Sequence, residues 1–159
     1  VGGTTLKTTA KGGWSDESVW KGAGGGPSVT EAAPAWQLTS GVMGAATSRG
    51  VPDISFDANP STGALVLLNG SLVQVGGTSL SAPIFAGFWA RMQSAYSNGL
   101  VFPAAALYQF GPGNPGLFHD VTVGDNGGFT AAAGWDYASG FGSLDMTAFS
   151  NFVATHAGF

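Results

Sequence analysis

The 159 residues include 27 glycines and no cysteine, and only 9% of side chains are charged, for a formal net charge of −4. Soluble domains ordinarily carry roughly 25% charged residues, and the five scattered Lys and Arg cannot build the basic surface that nucleic acid requires. The lack of thiols excludes disulfides and thiolate metal sites, an apolar share of 44% excludes general disorder, and no apolar run reaches membrane-spanning length.

In chain order, VGGTTL at residues 1–6 reads as a short strand whose glycines permit close backbone approach. Its abrupt Val-Gly-Gly start has the character of a cut or processed end. Lys7 to Asp16 is turn-like, and Glu17 to Lys21 forms a brief strand with Val19 and Trp20 inward. Gly22 to Ser28 is a glycine-rich loop without the Gly-Lys-Ser/Thr ending of a phosphate-binding loop. Pro34, Trp36 and Gln37 make an apolar corner, followed by a connector rich in small residues that runs to Arg49. Asp53 and Asp57 lie four residues apart, but Ile-Ser-Phe between them and Asn-Pro after them read as extended chain and turn. They are therefore expected to be structural rather than an acid and base pair. Leu65–Leu68 and Leu72–Val75 flank Asn69-Gly70, a strong type I′ hairpin signal. Asn69-Gly70-Ser71 is also an N-glycosylation sequon.

The stretch GGTSLSAPIFAG, residues 76–87, organises the chain. Two glycines and a small polar residue end an apolar run, and a helix follows from Pro83 to about Tyr96. Thr78 or Ser79 is expected to cap that helix, with Pro83 in its first turn. A strand, a glycine turn and a helix entered at a hydroxyl residue can hold a serine nucleophile at a strand end. The free amides of such a helix start suit a developing oxyanion. Gly-Thr-Ser alone is more often a plain helix cap, so spacing by itself does not name an enzyme. Farther on, Pro103 to Phe110 reads as a short helix and Gly111 to Gly116 as a turn-rich loop. Asp145 to His156 reads as a last helix, with Asp145 as cap and Phe149, Phe152 and Val153 on one face. No repeat or linker divides the chain, so residues 1–159 form one structural unit.

GGTSLSAPIFAG resembles the nucleophile motif of the sedolisins, the serine-carboxyl peptidases, which share a subtilisin-like fold. The subtilisin motif has a histidine just after the proline, where Ile84 and Phe85 stand here. Three further stretches resemble sedolisin segments in the family's order: VGGTTL at 1–6, VPDISFDANPSTG at 51–63, and FHDVTVG…GWDYASGFGS from 118 to 143. Together they cover nearly the whole chain.

The resemblance implies an α/β, subtilisin-like three-layer fold with a largely parallel sheet, of which this chain is the C-terminal portion. It implies an acid-acting endopeptidase with Ser79 as nucleophile. In the family a glutamate serves as base, an aspartate orients it and another aspartate lines the oxyanion hole. All three lie upstream of the first strand, and Asp16, Glu17 and Glu31 sit in nothing like the family's glutamate-aspartate helix motif. The expected partners are therefore an N-terminal segment or second chain of the same peptidase and a protein or peptide substrate, with no nucleic acid and no membrane. Gly24, Gly25, Gly26 and Ser28 correspond to a stretch bordering the substrate cleft. Asp120, Val121, Ala132, Gly134 and Asp136 match the family's calcium loop, with Ala132 where glycine is common, which makes Ca2+ the implied cofactor.

His119 and His156 are the only imidazoles, and neither sits where a Ser-His pair would place it. A base of carboxylate type fits acid, where a free histidine is protonated. Nine acidic side chains also leave few depressed carboxylate pKa values for acid to reverse. Secretion, or another acidic extracytoplasmic compartment, is the expected location. The alternative reading is a non-catalytic, calcium-stabilised scaffold or binding fragment of the same fold.

Overall fold

The computed structural model describes residues 1–156 and 159. Strand β1 (Gly2–Thr8) lies between β2 (Trp14–Val19), its antiparallel neighbour, and β5 (Ser55–Asp57), with which it runs parallel. β3 (Gly26–Ala32) pairs antiparallel with β4 (Ser48–Val51), and helix α1 (Ala35–Thr39) stands between them in the chain. β6 (Ala64–Leu68) and β7 (Ser71–Val75) form a hairpin that feeds helix α2 (Thr78–Ala95). Helix α3 (Pro103–Phe110) and two short 3-10 turns lead to β8 (Phe118–His119), which pairs antiparallel with β9 (Ser143–Leu144). Helix α4 (Met146–Val153) follows.

This arrangement corrects the expectation of a largely parallel sheet. The only parallel pairing among the described residues is β1 with β5, and every other pair is antiparallel. Parallel neighbours need a long crossover, whereas a short link can only reverse the chain. Asn69-Gly70 is such a link, with φ of 49° and 79°, and it makes the hairpin that the dipeptide signals.

Strand β2 begins earlier than expected and buries a different residue. Val19 points inward, so alternation puts Glu17 on the same face, where it is 6% exposed, while Trp20 is half-buried. The Glu17 carboxylate accepts from Thr4 Oγ1, from Ser143 Oγ and, at 3.0 Å, from Trp14 Nε1. Three neutral donors satisfy a buried charge and tie β1, β2 and β9 together.

The main core gathers Ile54, Phe56, Leu107, Tyr108, Phe141, Leu144 and Phe149, with Phe85, Phe88 and Trp89 of α2 packed against it. Asp145 caps α4 as expected, accepting from the amides of Thr147 and Ala148. Tyr108 is buried, and its hydroxyl accepts from Gln37 Nε2 at 2.7 Å. Burial first, and the Asp53 carboxylate second, push its phenol above the ordinary value of 10.0. An unfolded phenol ionises near pH 10 and the folded one does not, so this contribution is fully present below that pH and lost above it. Urea unfolding should show stability falling by about 1.4 kcal/mol per pH unit above pH 10 from this group. Tyr108→Phe should remove that part of the slope. Equal slopes for parent and variant would refute the assignment.

Candidate active site

Helix α2 starts at a turn that only glycines can make. Gly77, its N-cap residue, has φ 95° and ψ 162°, a region closed to side chains. At Gly76 an added Cβ would sit 2.6 Å from Pro60 Cα and 2.8 Å from the Ala58 carbonyl. The turn is pinned by a hydrogen bond from the Gly77 amide to the Ala58 carbonyl.

Neither Thr78 nor Ser79 caps the helix, which corrects the expectation from sequence: the cap is Gly77, with no side-chain hydrogen bond. Ser79 is exposed, and among the described residues its hydroxyl neither donates nor accepts a hydrogen bond. The amides of Thr78 and Ser79 likewise meet no carbonyl among the described residues, as the opening of a helix dictates. Pro83 lies in the second turn rather than the first. Its missing N–H therefore leaves the Ser79 carbonyl without an intrahelical partner. An exposed hydroxyl uncommitted to capping can attack an electrophile once a base takes its proton, and the free amides beside it can hold the resulting oxyanion.

The inward face of α2 carries Ser81, Ile84, Phe85, Phe88, Trp89 and Met92, at helical spacing. Phe85 stacks on Phe56 of β5 with ring centroids 6.3 Å apart, and Trp89 meets Phe149 of α4 edge-on at 6.5 Å. The buried Ser81 hydroxyl accepts from the Phe56 amide and donates to the Gly2 carbonyl. Sequence reading passed over Ser81, although the period of the buried face runs through it.

The histidines are engaged elsewhere. His119 stacks on Trp14 at 4.2 Å, and His156 lies on Phe152 at 3.6 Å with Nδ1 against the Phe152 carbonyl. Asp53 makes a paired contact with Arg49 at 2.6 and 2.7 Å, while Asp57 accepts from Thr62 Oγ1 at 2.7 Å. Asp16 pairs with Lys7 at 3.0 Å, and the Lys7 hydrogen bond holds its carboxyl below the usual range.

Among Asp120, Val121, Ala132, Gly134 and Asp136, two short hydrogen bonds form. The Gly134 amide donates to Asp120 Oδ2 at 2.8 Å and the Ala132 amide to Asp136 Oδ2 at 2.7 Å. Asp136 is buried, and its Oδ1 accepts from the amides of Ala138 and Ser139 and from Ser139 Oγ. Among the described residues no hydrogen bond reaches the carbonyls of Ala132 and Gly134, and only Ser139 Oγ, at 3.4 Å, reaches that of Val121. No cluster of three or more acidic, His or Cys side chains occurs among the described residues. Two carboxylates with carbonyls free to turn toward a cation are a hard-oxygen donor set, which fits calcium. Gly25 and Gly26 pack against this region, beside the Tyr137 carbonyl and the Phe129 ring.

No family model matches the chain. It is 49% identical over 170 residues to sedolisin of Pseudomonas sp. (strain 101), an alignment taking in 98% of this chain and 29% of that protein. Identity to xanthomonalisin of Xanthomonas sp. (strain T-22) is 46%, over 92% of this chain and 20% of that protein. Kumamolisin of Bacillus sp. (strain MN-32) is 36% identical, over 89% of this chain and 28% of its own length. A solved structure of Pseudomonas sedolisin, a serine-carboxyl proteinase complexed with two molecules of pseudo-iodotyrostatin, superposes with a TM-score of 0.93 at 49% identity. That match covers all of this chain and 46% of the solved one. This chain thus spans less than a third of the curated relatives' length, and it belongs to the sedolisin, or serine-carboxyl peptidase, family as part of such a protein.

Proposed function

We propose that the chain is the nucleophile-bearing part of an acid-acting serine-carboxyl endopeptidase. The observation that carries this reading is the Ser79 hydroxyl, exposed and without a hydrogen bond among the described residues, at the start of α2. In the reaction Ser79 Oγ attacks the scissile carbonyl and passes its proton to a glutamate of an upstream segment. The Ser79 amide and a protonated aspartic acid of that segment hold the oxyanion. Collapse expels the amine, which takes up the proton, and water then hydrolyses the acyl-enzyme.

Among the described residues no hydrogen bond joins the Ser79 hydroxyl to a carboxylate or imidazole, and we assign the base to a second part of the domain. The outer side of α2 supports that division. Ala82, Pro83, Ala86, Gly87 and Ala90 form an exposed face of small residues, on a helix flanked by an exposed apolar hairpin. Leu65, Leu67 and Leu72 share one side of the hairpin at 67%, 69% and 69% exposure. The portion of the domain that lies outside this chain in the relatives is the occupant of both surfaces. Calcium would be held by Asp120 and Asp136 with the carbonyls of Val121, Ala132 and Gly134. Its contribution there is to neutralise two carboxylates and hold the loop. Among the described residues no helix is long and apolar enough to cross a membrane. Work at acid pH suits a secreted or otherwise acidic extracytoplasmic setting.

The test is a rate profile of this chain joined to its upstream half, with a denatured protein as substrate. Hydrolysis should be greatest at roughly pH 3–5, where ordinary carboxylates titrate, and absent from the 159-residue chain alone. A rate that rises through pH 6.5 and holds to pH 9 would reveal an imidazole base and overturn the reading. A joined protein that binds calcium but hydrolyses nothing at any pH would establish the scaffold alternative.

A further inference from the structure

We propose that Ser81 is a positioning residue for Ser79, and this rests on the reading of Ser79 as nucleophile. Its side chain is completely buried, and both capacities of its hydroxyl are used. It donates to the Gly2 carbonyl at 2.6 Å and accepts from the Phe56 amide at 3.1 Å. These two groups belong to different strands. In the parallel register, Gly2 stands opposite Ser55. A parallel residue bonds the partners on either side of the one it faces. Gly2 does so on one side, its amide donating to the Ile54 carbonyl at 2.7 Å. On the other side, the Phe56 amide and the Gly2 carbonyl are the two ends of the next rung. The Ser81 hydroxyl touches both ends of that rung, so a helix side chain is tied to the ladder of β1 and β5.

The rest of the helix start is held lightly. Gly77 offers no side chain, and the cap makes no side-chain hydrogen bond. Its amide bond to Ala58 secures the turn, and Phe85, Phe88 and Trp89 orient the helix farther along. Ser81 thus supplies the side-chain hydrogen bond that holds the first turns to the sheet. Ser79 and Ser81 are two residues apart, about 200° around the helix. Fixing Ser81 inward therefore fixes the direction in which Ser79 faces outward. Alanine at 81 would leave that rung to the strands alone, and the helix start would lose its tie. A shift of about 1 Å at the reacting atom is enough to cost about 100-fold in rate.

The experiment uses the complete peptidase with Ser81→Ala, and Ser81→Cys as a near-isosteric second variant. For Ser81→Ala the expected result is a kcat lower by about 100-fold with KM within about twofold. A second readout is binding of a peptide aldehyde, in which the serine oxygen bonds to the aldehyde carbon and the proton moves to the former carbonyl oxygen. The matching peptide alcohol fills the same subsites but cannot form that bond. Aldehyde affinity should fall with kcat while alcohol affinity stays at the parent value. Parent-like kcat and aldehyde affinity would overturn the inference, and so would parallel loss of aldehyde and alcohol binding, which marks a purely structural residue. If Ser81→Ala does not fold, Ser81→Cys decides by the same two ligands. Ser79→Ala separates the two claims: if it remains active, the nucleophile reading fails, and if it is inactive while Ser81→Ala is not, only the positioning role fails.

Discussion

Ser79→Ala in the complete peptidase is expected to lower peptide hydrolysis by about a millionfold, the scale of losing the nucleophile from a serine peptidase. The fold should not register the change. Ser79 is exposed, its hydroxyl bonds nothing among the described residues, and the helix cap is Gly77. The thermal midpoint should therefore stay at the parent value while activity is lost. The measurement is cleavage of an acid-denatured protein, alongside a melt in the same buffer. Parent-rate cleavage by the variant would remove Ser79 from the chemistry and leave its free hydroxyl without a role.

The second large effect belongs to the 120–136 loop, where two carboxylates should respond differently. Asp136→Ala strips the acceptor from the amides of Ala132, Ala138 and Ser139 and from Ser139 Oγ. Leaving buried donors unpaired should cost about 3–5 kcal/mol, with or without metal. Among the described residues Asp120 accepts from the Gly134 amide alone, and an asparagine oxygen can do the same. Asp120→Asn should therefore cost little in chelator and yet abolish the response to calcium. For the parent, calcium at a hundred times its dissociation constant adds about 2.7 kcal/mol. That raises the midpoint by roughly 5–10 °C for a domain of this size. An unchanged parent midpoint on chelation, with no calcium by elemental analysis, would overturn the metal assignment. The cost of Asp136→Ala would then stand by itself.

Local chemistry was legible where one residue type settles it. Asn69-Gly70 dictates a hairpin, Asp145 caps α4, and the glycine pair ahead of Thr78 marks the tight entry to α2. Two expectations failed because a local rule was applied without its surroundings. Thr78 and Ser79 are good caps in isolation, but the backbone of Gly77 takes that place by reaching a conformation no side chain allows. Pro83 was placed one turn too early because the helix start was set by the caps. Strand direction was the larger miss. An apolar strand pattern carries no sign of its neighbour's direction, and here both short links (9–13 and 69–70) and long ones (33–47 and 120–142) return the chain antiparallel. Glu17 and Ser81 share a different lesson. Each is polar on a face that periodicity assigns to the core, and that conflict is itself a readable signal of a side chain held by specific donors or acceptors.

The β6–β7 ribbon also bears on colloidal behaviour. Among the described residues both strands are edges, paired only with each other, and they offer open amides and carbonyls beside exposed leucines. The sequence isoelectric point is near 4.7, so charge repulsion between molecules fades as the solution enters the acid range. A copy whose ribbon is uncovered would meet other copies edge to edge with little to keep them apart. Such copies should precipitate in acid rather than stay in solution. Leu67→Lys, in the middle of the ribbon, should keep them dispersed.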